Sequence, residues 1–194
     1  METAERVKRA DNRHGQLLDA AAELFAAKGY HATSVRDIAA SVGMLPGSIY
    51  YHFSSKEELF AAVYEEGVRQ ISAAARAQMA TESDPWRRLE AAAAGHLEAL
   101  LKISYYPQVL VLVLPRDLPG SGARLAAARA RHEDIFRDLI EELPLPIGAD
   151  RRMFRLALLG ALNGTTVWYR PGGESPRMLA RRILRLFRDP LVRA

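Results

Sequence analysis

The sequence predicts an all-α protein of nine helices, and three observations carry that prediction. Apolar residues recur at spacings of three and four along most of the chain, the period of a helix face. Helix starts carry a capping side chain or an early proline, and several stops carry glycine. Runs of β-branched residues are few, alanine fills much of the rest, and no segment repeats.

Leu17, Leu18, Ala21, Leu24 and Phe25 form the stripe of the first helix, which Gly29 stops after Lys28. Ser34 with Asp37 reads as a capping box, and Gly43 ends the short second helix. Pro46 suits the first turn of the third. Ser55 with Glu58 opens a long fourth helix, from about Lys56 to Met79, and Asp84-Pro85 opens a fifth that reaches about Ser104. Pro107 to Leu114 fits a buried helix or a strand by pattern alone, and its helical neighbours favour helix. Pro115 to Gly122 reads as a loop, and Ser121 or Gly122 begins a seventh helix to about Leu143. The Leu-Pro-Leu-Pro-Ile-Gly stretch breaks the chain before an apolar eighth helix, Asp150 to Arg170. Pro171-Gly172-Gly173 turns the chain, and Ser175-Pro176 caps an Arg-rich ninth. Three short helices precede Ser54 and six mostly longer ones follow, so the expected domains are 1–54 and 55–194, with the fourth helix as connecting shaft.

Composition narrows the function. At 49% hydrophobic and 26% charged, the 194 residues suit a soluble globular protein. The longest run of large apolar residues, Val109 to Leu114, is far short of the ~20 that span a bilayer. The start METAERVKRADNR lacks the apolar core of a secretory signal. Cysteine is absent, which excludes disulfides, thiolate catalysis and cysteine-bound metals and suits the cytoplasm. No nucleophile–base pattern, HExxH or phosphate-binding glycine loop points to an enzyme or a cofactor. His14, His31, His96 and His132 lack metal-ligand spacing with a carboxylate, so each reads as a surface or satisfied polar residue and no metal is expected. The net charge of +4 invites a nucleic-acid reading, yet residues 1–60 hold seven Lys/Arg against eight Asp/Glu. The basic excess sits in the last helix, so net charge does not locate a DNA-binding face.

Patterning locates one instead. Ile38 and Val42 share a face of the second helix, Ile49 and Phe53 a face of the third, and both pairs can pack on Leu17, Leu24 and Phe25. With the glycine turn between them, this is a helix-turn-helix. At ~100° per residue, turning Ile49 and Phe53 inward points Tyr51 directly outward. Gly47 and Ser48 then also face out, with Tyr50 and His52 on the flanks. These residues either pack on the fourth helix or offer donors to phosphates and base edges.

Phe25, Lys28-Gly29-Tyr30, Thr33-Ser34-Val35, Ile38-Ala39, Val42-Gly43, Gly47-Ser48-Ile49-Tyr50-Tyr51-His52-Phe53 and Lys56-Glu57-Glu58-Leu59 resemble the N-terminal domain of TetR-family transcriptional regulators. The resemblance implies a TetR-like all-α homodimer that presents each recognition helix, Pro46 to His52, to a major groove of palindromic double-stranded DNA. It implies phosphate contacts from Ser34 and Lys56, a base-reaching position at Arg36, and recognition-helix contacts from Gly47, Ser48, Tyr50, Tyr51 and His52. Leu45 and Pro46 stand where other members often carry polar base readers, which shifts the expected readout towards backbone contacts and DNA shape. Arg6, Lys8, Arg9 and Arg13 read either as an arm that adds phosphate contacts or as a solvated tail.

The later helices are apolar on more than one face. Leu101, Tyr105, Val109, Phe136, Asn163 and Trp168 are the expected ligand-binding residues, with Asn163 either orienting a ligand or bonding a neighbouring helix. Gly160 and Gly164 share a helical face and admit a close backbone, so Leu156, Leu159, Gly160, Gly164, Leu179, Ile183 and Leu186 are the expected dimer interface. The stretch from Ala161-Leu162-Asn163 to Arg170-Pro171-Gly172-Gly173 is similar to a TetR subgroup of which several members respond to acyl-CoA thioesters. That subgroup often carries an aromatic residue where this chain has Gly164. Arg170, Arg177 and Arg181 read as a CoA-phosphate site or as a solvated face. The expected function is a regulator, a repressor released from its operator by a small apolar or acyl-CoA-type effector. The alternative is a DNA-binding regulator whose C-terminal domain is purely structural.

Overall fold

The computed structural model describes residues 2–103, 105–111, 118 and 120–192. Among these there are nine α-helices and no strand, as the periodicity requires. They are α1 (Glu2–Lys28), α2 (Val35–Ser41), α3 (Pro46–His52), α4 (Lys56–Met79), α5 (Pro85–Glu98), α6 (Tyr106–Val109), α7 (Gly122–Glu141), α8 (Arg151–Trp168) and α9 (Pro176–Val192). The helix expected to reach Ser104 changes form after Glu98, where Ala99–Ile103 is a π-helical segment. Of the run Pro107 to Leu114, the first part is helical, while Leu112 to Leu114 lie outside the described residues. So does half of the expected Pro115 to Gly122 loop. No helix among the described residues is long and apolar enough to cross a membrane.

The caps read from the sequence at Ser34, Ser55 and Asp84 are made, and Asp150, read there only as the start of the eighth helix, adds another. Ser34 and Asp37 close a reciprocal box at α2. The Ser55 hydroxyl accepts from Glu58 N–H at 3.1 Å, Asp84 from Arg87 N–H at 2.9 Å and Asp150 from Met153 N–H at 2.8 Å. Each satisfies an N–H that the first helical turn leaves free. At the other end of α7, the Arg151 guanidinium donates to the carbonyls of Ile140 and Leu143.

The chain packs as two compact units, Met1–Gly67 with Tyr105–Ala127 and Val68–Ser104 with Ala128–Ala194. Packing therefore divides inside α4 and α7. The physical reason is area: α1 with two helices of seven residues each buries too little by itself. In the first unit Leu59, Phe60, Val63 and Tyr64 of α4 join Leu17, Ala21, Phe25, Ile38, Ile49 and Phe53 in one core. Phe60 meets Phe25 edge-on at 5.1 Å and Tyr30 at 4.9 Å. The turns after α1 and α2 place Gly29 and Gly43 at φ 81° and 64°, a region that side-chained residues avoid. The Tyr106 hydroxyl donates to Asp19 at 2.8 Å, and burial first, then that carboxylate, raises its pKa.

In the second unit α5 is buried along most of its length, from Trp86 and Leu89 to Leu97. Gly95 is required there: a Cβ would collide with the backbone of Ala74 and Ala75 in α4. Gly67 is required in the first unit, since a Cβ would sit 2.5 Å from the carbonyl oxygen of Tyr106.

Gly67→Ala and Gly95→Ala should each destabilise the fold by about 1–3 kcal/mol through overpacking. Gly47→Ala, whose added Cβ meets nothing within 4 Å, should stay within about 0.5 kcal/mol of the parent. Denaturant midpoints of the three variants measure the difference, and equal midpoints would refute the packing.

Candidate functional site

The first candidate surface is α3 and its approach from α2. Pro46 at the first helical position presets φ, and Leu45 before it is extended, with φ −74° and ψ 143°. Ile49 and Phe53 are buried, which fixes the rotation of the helix. Tyr51 is consequently 89% exposed and Tyr50 55%, so neither is held by α4. Gly47 and Ser48 are exposed as well. His52 is half-buried, its ring edge-on to Tyr51 at 5.4 Å and to His14 at 6.0 Å, and His14 stacks on Phe53 at 5.2 Å.

Two residues expected on phosphates already have local duties. The Ser34 hydroxyl accepts from Asp37 N–H at 3.1 Å and donates to the Asp37 carboxylate at 2.7 Å, which also accepts from Ser34 N–H at 3.0 Å. These bonds, the hydroxyl's first, hold the Asp37 carboxyl below the usual carboxylate range. Lys56 is half-buried; its ammonium donates to the carbonyls of Tyr30 at 3.0 Å and Thr33 at 3.2 Å and lies 4.2 Å above the Tyr30 ring. Two of its three protons thus tie down the loop between α1 and α2, a role that the spacing of Lys56 in the sequence does not reveal. Arg36 and Arg13 are exposed, and the side chains of Arg6, Lys8 and Arg9 lie outside the described residues.

The expected ligand residues are divided between the packing units. Tyr105, exposed, and Val109, buried, belong to the first. Leu101 and Asn163, half-buried, Phe136, buried, and Trp168, exposed, belong to the second. Within the second unit Phe136 and Asn163 meet at a buried polar chain that sequence reasoning missed. The Asn163 carbonyl oxygen accepts from His96 Nε2–H at 3.1 Å. That leaves His96 Nδ1 to accept from His132 Nε2–H at 3.0 Å, and His132 Nδ1 to accept from the Ser72 hydroxyl at 3.0 Å. Phe136 lies edge-on to both rings, at 5.8 and 5.4 Å. Burial, reinforced by His132, pushes His96 down to about 3. Burial, reinforced by Arg76 and Arg129, pushes His132 down to about 4. Both rings are therefore neutral at pH 7. Among the described residues no group of three or more His, Asp or Glu side chains is arranged to hold a metal.

Of the expected interface residues, Leu159, Leu179 and Ile183 are already buried within the protomer, so they support that surface from beneath. Leu156, Gly160 and Leu186 are exposed, Gly164 is half-buried, and a Cβ on either glycine would meet nothing within 4 Å. Met153, Val167 and Met178 extend the uncovered apolar surface, Val167 at 85% exposure and Leu186 at 75%. Arg170 and Arg177 are exposed, and Arg181 pairs with Glu90 at 3.7 Å.

Residues 17–63 match the bacterial regulatory proteins of the tetR family, and residues 82–191 match the tetracyclin repressor-like C-terminal domain. The chain is 29% identical over 170 residues to the HTH-type transcriptional repressor KstR2 of Mycobacterium tuberculosis, covering 84% of each. Over 133 residues it is 35% identical to the HTH-type transcriptional activator FasR of Mycolicibacterium smegmatis, covering 67% of this chain and 59% of the other. The solved structure of the TetR family regulator PfmR from Thermus thermophilus superposes with a TM-score of 0.73 at 28% identity, over 92% of this chain and 97% of that one. The structure of KstR2, described as a ketosteroid transcriptional regulator, gives 0.72 at 26% identity over 90% and 92%.

The histidine pair makes stability depend on pH. The unfolded chain binds protons at about pH 6.5, and the folded chain only near 4 and 3. Stability is complete above about pH 6.5 and falls as pH drops, by up to about 1.4 kcal/mol per pH unit for each ring. The double variant His96→Leu/His132→Leu should lose this steepness between pH 6.5 and 5, as followed by denaturant unfolding at each pH. An unchanged slope would mean that the rings titrate normally in the fold.

Proposed function

The chain belongs to the TetR family of bacterial regulatory proteins, and from that membership we propose a ligand-responsive repressor that leaves a palindromic operator when a small effector binds. In this reading residues 1–54 bind DNA and residues 55–194 bind the effector and dimerise. The observation that carries it is the exposure of Tyr50 and Tyr51 on a helix whose other side anchors the core. No fold requirement accounts for two uncovered aromatic rings there, whereas their hydroxyls suit phosphate oxygens lining a major groove. Ser48 adds a hydroxyl, Gly47 admits a phosphate close to the backbone, and Arg36 reaches out from α2. His52 flanks Tyr51, while Ser34 and the third proton of Lys56 serve phosphates from the side.

Dimerisation through the uncovered surface of α8 and α9, centred on Leu156, Gly160, Gly164 and Leu186, supplies the two-fold axis that a palindrome needs. The effector contacts Asn163 in the second unit, with Leu101, Phe136 and Trp168 as apolar lining, and is an apolar molecule or an acyl-CoA thioester. The subgroup-like stretch around Asn163 supports that class, and the likeness to a ketosteroid regulator supports an apolar body. Complete release, from 99:1 to 1:99, needs a preference of about 5.5 kcal/mol for the released state. The protein acts where the chromosome is, in the cytoplasm. One observation favours a purely structural C-terminal domain instead: the Asn163 carbonyl already has a partner in His96.

Selection of random duplex DNA on the purified protein at ~150 mM salt tests the reading. An enriched palindrome is expected, and a folded dimer that enriches nothing would overturn it. Ligand titration into the resulting complex separates the two views of the C-terminal domain. Tyr51→Ala and Gly47→Ala should each weaken operator binding, Tyr51→Ala by about tenfold or more if a charge-assisted bond is lost, with unchanged thermal midpoints. Val167→Glu should leave the protomer folded and give a monomer by sedimentation; a stable dimer would remove α8 from the interface.

A further inference from the structure

Leu45 breaks two local rules at once. It occupies the N-cap of α3, where Ser, Thr, Asp or Asn would satisfy a free N–H, and its side chain makes no capping bond. It also leaves a large aliphatic group 77% exposed. Its only helical duty, accepting the Ser48 N–H at its carbonyl, is one that any residue performs. Rules broken without structural return mark surfaces kept for a partner.

The partner's chemistry follows from what α3 lacks. Pro46–His52 contains no Arg, Lys, Asn or Gln, the side chains that pair with guanine and adenine edges. Residues at the start of a recognition helix are the ones that reach base edges. The apolar feature of a major-groove edge is the C5-methyl of thymine. We propose that Leu45 is a specificity residue that packs against the C5-methyl of one thymine in each half-site. This rests on the DNA-binding reading above. A G·C pair presents no methyl group in the major groove, so an A·T pair is preferred at that step with no hydrogen bond from the protein.

The test replaces thymine by deoxyuridine, which removes the methyl and keeps every hydrogen-bonding group. In the operator obtained by selection, each symmetric thymine pair is substituted in turn and affinity is read by fluorescence anisotropy. One pair should lose about fourfold per methyl, hence about fifteenfold for two half-sites, from roughly 0.8 kcal/mol per buried carbon. The loss should vanish in Leu45→Ala. Leu45→Ser, which restores a cap, should melt no lower than the parent and still lose the methyl dependence. Sequence-selective binding in which no thymine pair shows a methyl dependence removed by Leu45→Ala overturns the inference and leaves the DNA reading intact. A failure to select any sequence overturns both.

Discussion

In the second packing unit four helices are tied together through two buried histidine rings. His96 and His132 are buried, so a ring nitrogen without a partner would cost about 1–3 kcal/mol and a charge considerably more. The chain from Ser72 to Asn163 meets that demand when both rings are neutral and all three bonds point one way. It sets the registers of α4, α5, α7 and α8 against one another, since sliding any one of them breaks its bonds to the rest. Gly95, next to His96, works with it by letting α5 lie against the backbone of α4. Phe136 closes the site by packing edge-on to both rings.

The first unit solves the opposite problem, which is to keep a helix in place while using little of its surface. A helix of seven residues does not persist alone in water. α3 is held by Ile49 and Phe53, by the proline that presets its first turn, and by the glycine turn before it. Apart from His52, which packs on His14, the rest of it is released from structural work, which is why Tyr50, Tyr51, Ser48 and Gly47, with Leu45 just before the helix, are left exposed. Lys56 shows the converse: a cation at the end of the motif spends two protons on the carbonyls of Tyr30 and Thr33, so the loop before α2 is fixed from within.

What was legible in the sequence is what local chemistry decides. Ser34 with Asp37, Gly29, Gly43, Pro46 and the caps at Ser55 and Asp84 act within four residues, and their positions could be read directly. The rotation of α3 was legible because two buried residues define it. The polar chain was not, because its members lie 60, 36 and 67 residues apart along successive links, and no spacing rule connects them. Each histidine read singly is a satisfied polar residue, which is true of both and hides that they satisfy each other. The π-helical segment Ala99–Ile103 left no mark either, since its residues are ordinary helix formers. Capping signals report where helices start, whereas packing units are set by how much area each must bury, so the division inside α4 has no local mark.

The polar chain also has a property that its individual bonds do not. If the Asn163 amide turns its nitrogen towards His96, donor meets donor, and His96 must move its proton to Nδ1. That proton then faces His132 Nε2, which must give up its own, and His132 Nδ1–H is left to donate to Ser72. The reversed chain is as fully bonded as the original, so there are two consistent states and no stable mixture of them.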